Sequence, residues 1–268
     1  MPVLHLVVLA LIQGITEFLP VSSSGHLVLV PVFTGWVDQG LLIDVAVHVG
    51  TLGAVILYFF RDVWGMITGI FRAMRGRRDP HALMAALIVL ATLPVIVAGY
   101  FLNSYGLDGL RTIEVIGWAT LGFGIVLYIT DKAGMTLRRI EHIGWSDAII
   151  IGLVQVLALI PGASRSGVTM SAARILGMER AEAARFSMLL SIPTILGAGS
   201  LKGWELYEMG NAQLTVAAFV AAGMAFVTAI LAIALLMAWL KRSTFTPFVI
   251  YRILLGGGLL AWAYGYLG

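Results

Sequence analysis

Gln13-Gly-Ile-Thr-Glu17-Phe-Leu-Pro20-Val-Ser22-Ser23-Ser24-Gly25-His26 breaks off an apolar run that covers residues 3–19. That run is too short to cross a hydrocarbon core of roughly 30 Å comfortably. It also passes straight into Pro, Ser and Gly. Inside a membrane, backbone outside a helix survives only where protein or a wet cavity satisfies it, so such a segment suits a re-entrant helix-turn-helix better than a span. Sliding the chain by 142 residues lays a second stretch, Gln155 to Thr169, on the first. Gln13 then falls on Gln155, Ser22 on Ser164, Ser24 on Ser166 and Gly25 on Gly167, while Leu11, Ile12 and Ile15 meet Leu153, Val154 and Leu157. The second stretch follows another short apolar run, 147–160, and an internal duplication is the simplest cause of the match.

Around these two breaks the chain reads as membrane. Of 268 residues, 60% are hydrophobic and 12% charged, with a mean hydropathy of +0.97. Soluble domains are about half apolar and a quarter charged. Runs long enough to cross a bilayer occupy 42–60, 82–102, 112–130, 184–201, 214–240 and 249–268. The expected fold is therefore an all-α integral membrane protein with six transmembrane helices and two re-entrant segments. It forms one membrane domain over 1–268, whose repeat halves are 1–135 and 142–268. Each half holds one re-entrant segment and three spans, an odd number, so the halves must be inverted, as in many transporters. The N-terminal MPVLHLVVLALIQG has no basic stretch and no cleavage site of small residues, and is expected to remain in the mature chain.

Charge sets the orientation. Five arginines lie between Arg61 and Arg78, and smaller basic groups occur at Lys132 with Arg138 and Arg139 and at Lys241 with Arg242. Placing the 61–81 loop in the cytoplasm puts 131–146 and 241–248 there too, and sends 103–111 and 202–213 outside, as the positive-inside rule asks. Basic residues confined to short loops between spans do not make a nucleic-acid surface, and none is expected to bind. The absence of cysteine excludes disulfides and thiolate chemistry.

Chemistry concentrates in the breaks. Gln13 and Glu17 stand four apart on one helix face, which Pro20 should end. A Glu at membrane depth is costly and needs a wet cavity, a cation or a basic partner. His26 can serve as acid, base, nucleophile or ligand near neutral pH. Ser22, Ser23 and Ser24 offer hydroxyls, or helix caps. In the second break, Pro161-Gly162-Ala163-Ser164-Arg165-Ser166-Gly167-Val168-Thr169 sets Gly and Ser on both sides of one arginine. Backbone N–H groups, hydroxyls and a guanidinium fork at a helix break make an anion cradle suited to phosphate. Arg165 also suits an internal pair with Glu17, and the two readings coexist if a phosphate and a divalent cation enter between them. Asp147 is expected to cap a helix, and Glu179, Arg180, Glu182 and Arg185 to form a solvated connector whose spacing allows helix pairs. Asp44 and His48, four apart in a span, suit either the border of the cavity or helix packing, and Gly256 to Gly258 suit close helix contact.

At Glu17-Phe-Leu-Pro-Val-Ser-Ser-Ser-Gly-His26 and Pro161-Gly-Ala-Ser-Arg-Ser-Gly-Val-Thr169 the chain resembles the bacterial undecaprenyl-diphosphate phosphatases, also called bacitracin-resistance proteins. Asp44 to Gly53 and Pro247 to Arg252 add to the likeness. The resemblance implies hydrolysis of the C55 isoprenyl diphosphate to the monophosphate carrier lipid for peptidoglycan and other cell-wall polymers. It further implies an inner-membrane site open to the periplasm, a divalent cation such as Mg2+ or Ca2+, competition with bacitracin for the lipid, and room for a homodimer. Glu17, Ser23, His26 and Arg165 match the family's catalytic residues. Ser22, Ser24, Gly162, Ser164, Ser166 and Thr169 are then the expected substrate contacts, and Glu17 and Gln13 the expected metal ligands. Where the family often has Glu, this chain has Gln13, which can ligate through oxygen but cannot be a base, so base work falls on Glu17. The attacking group is left open between Ser23, His26 and water. A lipid-phosphate flippase or transporter is the rival, because inverted repeats serve alternating access.

Overall fold

In the computed structural model of the chain, residues 3–36, 40–105, 110, 112–208 and 216–266 are described, without side chains at 103–105, 201 and 205–207. Of the expected outer loops, 103–111 and 202–213, residues 106–109, 111 and 209–213 lie outside the described residues. The described chain is helical: α1 Val3–Thr16, α2 Ser23–Thr34, α3 Gly40–Tyr58, α4 Phe60–Met74, α5 Pro80–Tyr105, α6 Ile113–Ala133, α7 Trp145–Gln155, α8 Arg165–Ile175, α9 Arg180–Glu208, α10 Val216–Leu240 and α11 Thr246–Ala263. Six of these, α3, α5, α6, α9, α10 and α11, are long and apolar enough to cross a membrane, and they coincide with the six expected spans to within a few residues. The chain is a multi-pass, all-α membrane protein.

The duplication is visible in the backbone. α1 and α7 each stop short, turn, and resume as α2 and α8. At the turns, Ser22 (φ 76°, ψ 93°) and Ser164 (φ 72°, ψ 109°) are the two non-glycine residues with positive φ among the described residues. An L side chain adopts that region at a cost and holds it only where the surroundings impose it. Each serine recovers part of the cost as an N-cap, its Oγ accepting from Gly25 N at 3.3 Å and from Gly167 N at 3.2 Å. Packing repeats in the same way. α1 lies on α10 as α7 lies on α5, α10 packs on α3 as α5 packs on α9, and α6 pairs with α11 across the middle. The two short helices come in close at Gly14 and Gly152, where an added Cβ would stand 1.8 Å from Thr228 Oγ1 and 2.7 Å from the Ala91 carbonyl. Gly256, with a Cβ position 2.8 Å from Leu121 N, permits the contact between α6 and α11, whereas Gly257 and Gly258 face open space.

Two expectations are corrected and one is refined. The basic 61–81 loop contains a helix, α4, which exposes Phe60, Trp64, Ile67, Ile70, Phe71 and Met74 at helical spacing on one face. Counting charges assigned it to the cytoplasmic side but passed over its period, which is that of a helix lying in an interface. Asp147 caps α7 as expected, but from inside the helix rather than from the N-cap position, which Gly144 holds. It occupies the first turn of α7, accepts from Gly144 N at 2.9 Å and pairs with Arg138 at 2.5 Å. The 179–185 connector is knitted into the fold rather than merely solvated. Arg180 reaches Asp131 at 2.7 Å, Arg185 pairs with Asp62 on α4, and Glu182 accepts from Ile140 N at 3.3 Å.

Candidate active site

The two breaks face one cavity of about 250 Å3. α1 ends at Thr16, before Pro20, yet the turn still holds Glu17 against Gln13 because Glu17 N donates to the Gln13 carbonyl at 3.0 Å. Glu17 is the hub. Its Oε2 accepts from Ser23 Oγ at 2.7 Å and from Gln13 Nε2 at 2.9 Å, and its Oε1 accepts from Arg165 Nη2 at 3.1 Å. The other arm of Arg165 donates to the Ser187 carbonyl on α9 at 3.2 Å, which fixes the guanidinium plane. Side-chain exposure is 7% for Glu17 and 13% for Arg165. A pair so little solvated persists only when further partners hold it, and here Ser23 and Gln13 donate to Glu17 while the Ser187 carbonyl accepts from Arg165.

Ser23 and Arg165 are the first residues of α2 and α8 and stand 142 apart. Equivalent positions of the two halves thus converge on opposite oxygens of one carboxylate. Ser22, Ser24 and Ser164 complete the polar floor. The facing wall comes from α3 and α9: His48 and Lys202 are its charged or titratable members, and Val45, Ile195 and Ala198 make it largely apolar.

Not every expected residue reaches the cavity. Ser166 is buried, its hydroxyl donating to the Leu19 carbonyl at 2.8 Å. Thr169 bonds back to the Arg165 carbonyl at 2.8 Å and to Ser187 Oγ at 2.6 Å. Gly162 (φ 94°) turns the second break beneath α6, where a Cβ would meet the Ile116 carbonyl at 2.6 Å. These three shape the break from behind. His26 is also absent from the lining. Its Nδ1 lies 2.6 Å from the Ser22 carbonyl, which can only accept, so Nδ1 carries the proton. Nε2 of the neutral ring then accepts from the Tyr251 hydroxyl at 2.5 Å, with the rings stacked 5.7 Å apart.

Tyr251 and Arg252 were legible only as part of a familiar string. Arg252 is wholly buried in α11 and donates to five carbonyls: Thr120 (3.0 Å) and Ala119 (3.4 Å) of α6, Pro20 (3.1 Å) of the first break, and Gly162 and Ala163 (both 3.0 Å) of the second. The available signal was cost: an arginine within a span is expensive and therefore has work to do. Lys202 was passed over because it lies where a span meets a loop.

A match to the family of Bacitracin resistance protein BacA covers residues 6–258, both breaks included. The chain belongs to this family. Relatives of this BacA-family chain include undecaprenyl-diphosphatase 1 of Rhodospirillum rubrum, 54% identical over 98% of this chain and 96% of that one. The undecaprenyl-diphosphatase of Roseobacter denitrificans is 52% identical over 98% of this chain and 100% of its own, and that of Hahella chejuensis 48% over 97% and 98%.

Whether the BacA-family site suits a divalent cation turns on its oxygen donors. No cluster of three His, Asp or Glu occurs among the described residues. Gln13 does not line the cavity; it is fully buried behind Glu17, to which it donates, and its Oε1 has no hydrogen-bond partner, an acceptor left over beside that carboxylate. One carboxylate and one amide oxygen fit a hard cation that draws its remaining ligands from substrate phosphate and water, as Mg2+ does.

Proposed function

We propose that this protein hydrolyses undecaprenyl diphosphate to undecaprenyl phosphate and inorganic phosphate, regenerating the carrier lipid for peptidoglycan and other cell-wall polymers. The observation that carries the reading is the hydrogen bond from Ser23 Oγ to Glu17 at 2.7 Å, with Arg165 on the carboxylate's other oxygen. A hydroxyl held by a base, beside a cation suited to phosphoryl oxygens, is the equipment phosphoryl transfer needs. The printed names of the relatives supply the substrate.

In the proposed reaction Ser23 Oγ attacks the terminal phosphorus in line while Glu17 takes its proton. The new Ser–O–P bond forms as the bridging P–O bond breaks, and the isoprenyl monophosphate leaves. Glu17 passes that proton to the departing isoprenyl monophosphate, then takes one from the water that displaces inorganic phosphate and returns it to Ser23 Oγ, restoring the hydroxyl. Arg165 and the Ser22, Ser24 and Ser164 hydroxyls hold the phosphoryl oxygens as charge shifts onto them. Glu17 and Gln13 would hold a divalent cation, Mg2+ or Ca2+, whose part is to neutralise phosphoryl charge. His26 braces Ser22 from behind, while Ser166, Thr169 and Gly162 fix the second break; both ring nitrogens of His26 are engaged, which supports Ser23 as nucleophile. The apolar wall suits the isoprenyl chain.

Lys202 lines the cavity and pairs with Asp44 at 3.9 Å, both near the ends of their helices away from the basic 61–81 segment. That favours a site open to the periplasm from the inner membrane, where bacitracin would compete for the same lipid. We place the protein there as a monomer or homodimer, with each chain holding its own site. Cysteine labelling of the 61–81 segment in intact cells tests the orientation, and labelling from outside would overturn it.

The decisive assay uses purified protein in detergent, where no sidedness exists. An isoprenyl diphosphate should release inorganic phosphate, and Ser23→Ala should abolish release. A trapped phospho-enzyme should be stable to acid and labile to base, as a phosphoserine is. An acid-labile adduct would move the attack to His26, and no adduct would assign it to water. Binding without phosphate release would favour the lipid-phosphate transporter instead.

A further inference from the structure

We propose that His48 on α3 is a phosphate-binding residue of this site and that it, rather than His26, presents the imidazole that meets the substrate. The inference rests on the cavity being a diphosphate site. The two histidines hold the same backbone bond. His48 Nδ1 lies 2.7 Å from the Asp44 carbonyl, and His26 Nδ1 lies 2.6 Å from the Ser22 carbonyl, each one helical turn earlier. In both rings the carbonyl fixes the proton on Nδ1 and leaves Nε2 as the variable atom.

They differ in what Nε2 faces. That of His26 is closed off by the Tyr251 hydroxyl, and the ring does not line the cavity. His48 lines it together with Glu17, Ser23 and Arg165, and among the described residues nothing is bonded to its Nε2. A histidine pinned at one nitrogen and presented at the other to a polar cavity is preorganised for a ligand, because the orienting bond is already made.

The charge balance names the ligand's chemistry. Glu17 offsets Arg165 at 3.1 Å, and Asp44 lies 3.9 Å from Lys202, so the wall offers little surplus positive charge. A phosphomonoester already brings about −1.5 to −2 near neutral pH, and a diphosphate brings more. His48 can supply the missing partner at Nε2, sharing the incoming phosphate's own hydroxyl proton in a hydrogen bond to a non-bridging oxygen. Glu17 and Arg165 from the breaks, Asp44 on the same helix and Lys202 on α9 are the charged groups around it. On the wall that faces the breaks, beside the apolar Val45, Ile195 and Ala198, it suits the phosphate that carries the isoprenyl chain, while Arg165 takes the terminal one.

The test is direct binding of a methylene-bridged isoprenyl diphosphate analogue, which cannot turn over, to the full-length protein in detergent. Losing a charge-assisted hydrogen bond should weaken binding by about ten- to a hundredfold in His48→Ala. His48→Gln keeps a donor at the end of the side chain and should recover most of that loss. Unchanged binding in His48→Ala would overturn the proposal, as would a His48→Gln protein no better than His48→Ala. Because no turnover is involved, a wild-type protein that binds the analogue through His48 but releases no phosphate from a true diphosphate would leave this inference standing and remove the hydrolase reading.

Discussion

The first and second breaks share a backbone and divide a chemistry. Both stop a short apolar helix, both carry a serine at positive φ, and both start the next helix with that serine as its cap. At the first position of that next helix one has Ser23 and the other Arg165, and the two meet on the same carboxylate, contributed by the first break alone. Duplication can double a turn, since a turn is a local solution to backbone sterics. A reaction needs unlike groups facing each other, and inversion of one half brings equivalent positions together from opposite sides. The lesson is that backbone symmetry is kept where geometry matters and abandoned where charge matters.

The largest effect expected is on that asymmetry. Ser23→Ala should cost about 10^4 or more in phosphate release and Arg165→Ala about 10^3, the scales for losing a nucleophile and an oxyanion donor respectively. Arg165→Lys should recover little, because an ammonium cannot reach Glu17 and the Ser187 carbonyl as one rigid fork. Equal small losses in both alanine variants would mean that positions 23 and 165 are structural equivalents and nothing more.

Next comes Arg252→Met. It strips partners from five carbonyls that belong to both breaks and α6, and should lower stability by about 3–5 kcal/mol, read as a fall in Tm in detergent. An unaltered Tm would show that the two breaks hold together without it.

Smaller and symmetric effects are expected at the caps. Ser22→Ala and Ser164→Ala should each cost about 1 kcal/mol, whereas Ser22→Gly and Ser164→Gly should cost only a few tenths, since glycine accepts the positive φ. A cap worth much more at one break than at the other would sharpen the contrast, by showing that the local geometry too has diverged.

The smallest effect lies away from both breaks, in the turn before α5. There the Arg72 guanidinium beside Asp79, bonded at 2.6 Å, holds its carboxyl below the usual range, assisted by the backbone N–H groups of His81 and Ala82. A depressed carboxylate contributes stability that is present above its unfolded pKa of about 4 and lost as pH falls through the lower folded value. Amide hydrogen exchange at 79–83 should therefore quicken as pH drops below about 4, beyond the intrinsic trend, and Asp79→Asn should remove that dependence.

Much of this was open to a reader of residues alone. The six spans, the two breaks, the 142-residue repeat and the pairing of Glu17 with Arg165 follow from hydropathy, from Pro, Gly and Ser at fixed places, and from the cost of a lone charge in hydrocarbon. These are properties of composition and order, and they act whatever the rest of the chain does. Which side chains share the cavity is another matter. Each helical residue is turned by about 100° from the last, so its outlook depends on which neighbour covers that face. Helix packing therefore turned Ser166 and Thr169 inward and closed His26 behind Tyr251. It set Arg252 between the breaks and opened His48, four residues from Asp44 in a span that read equally well as packing, onto the cavity.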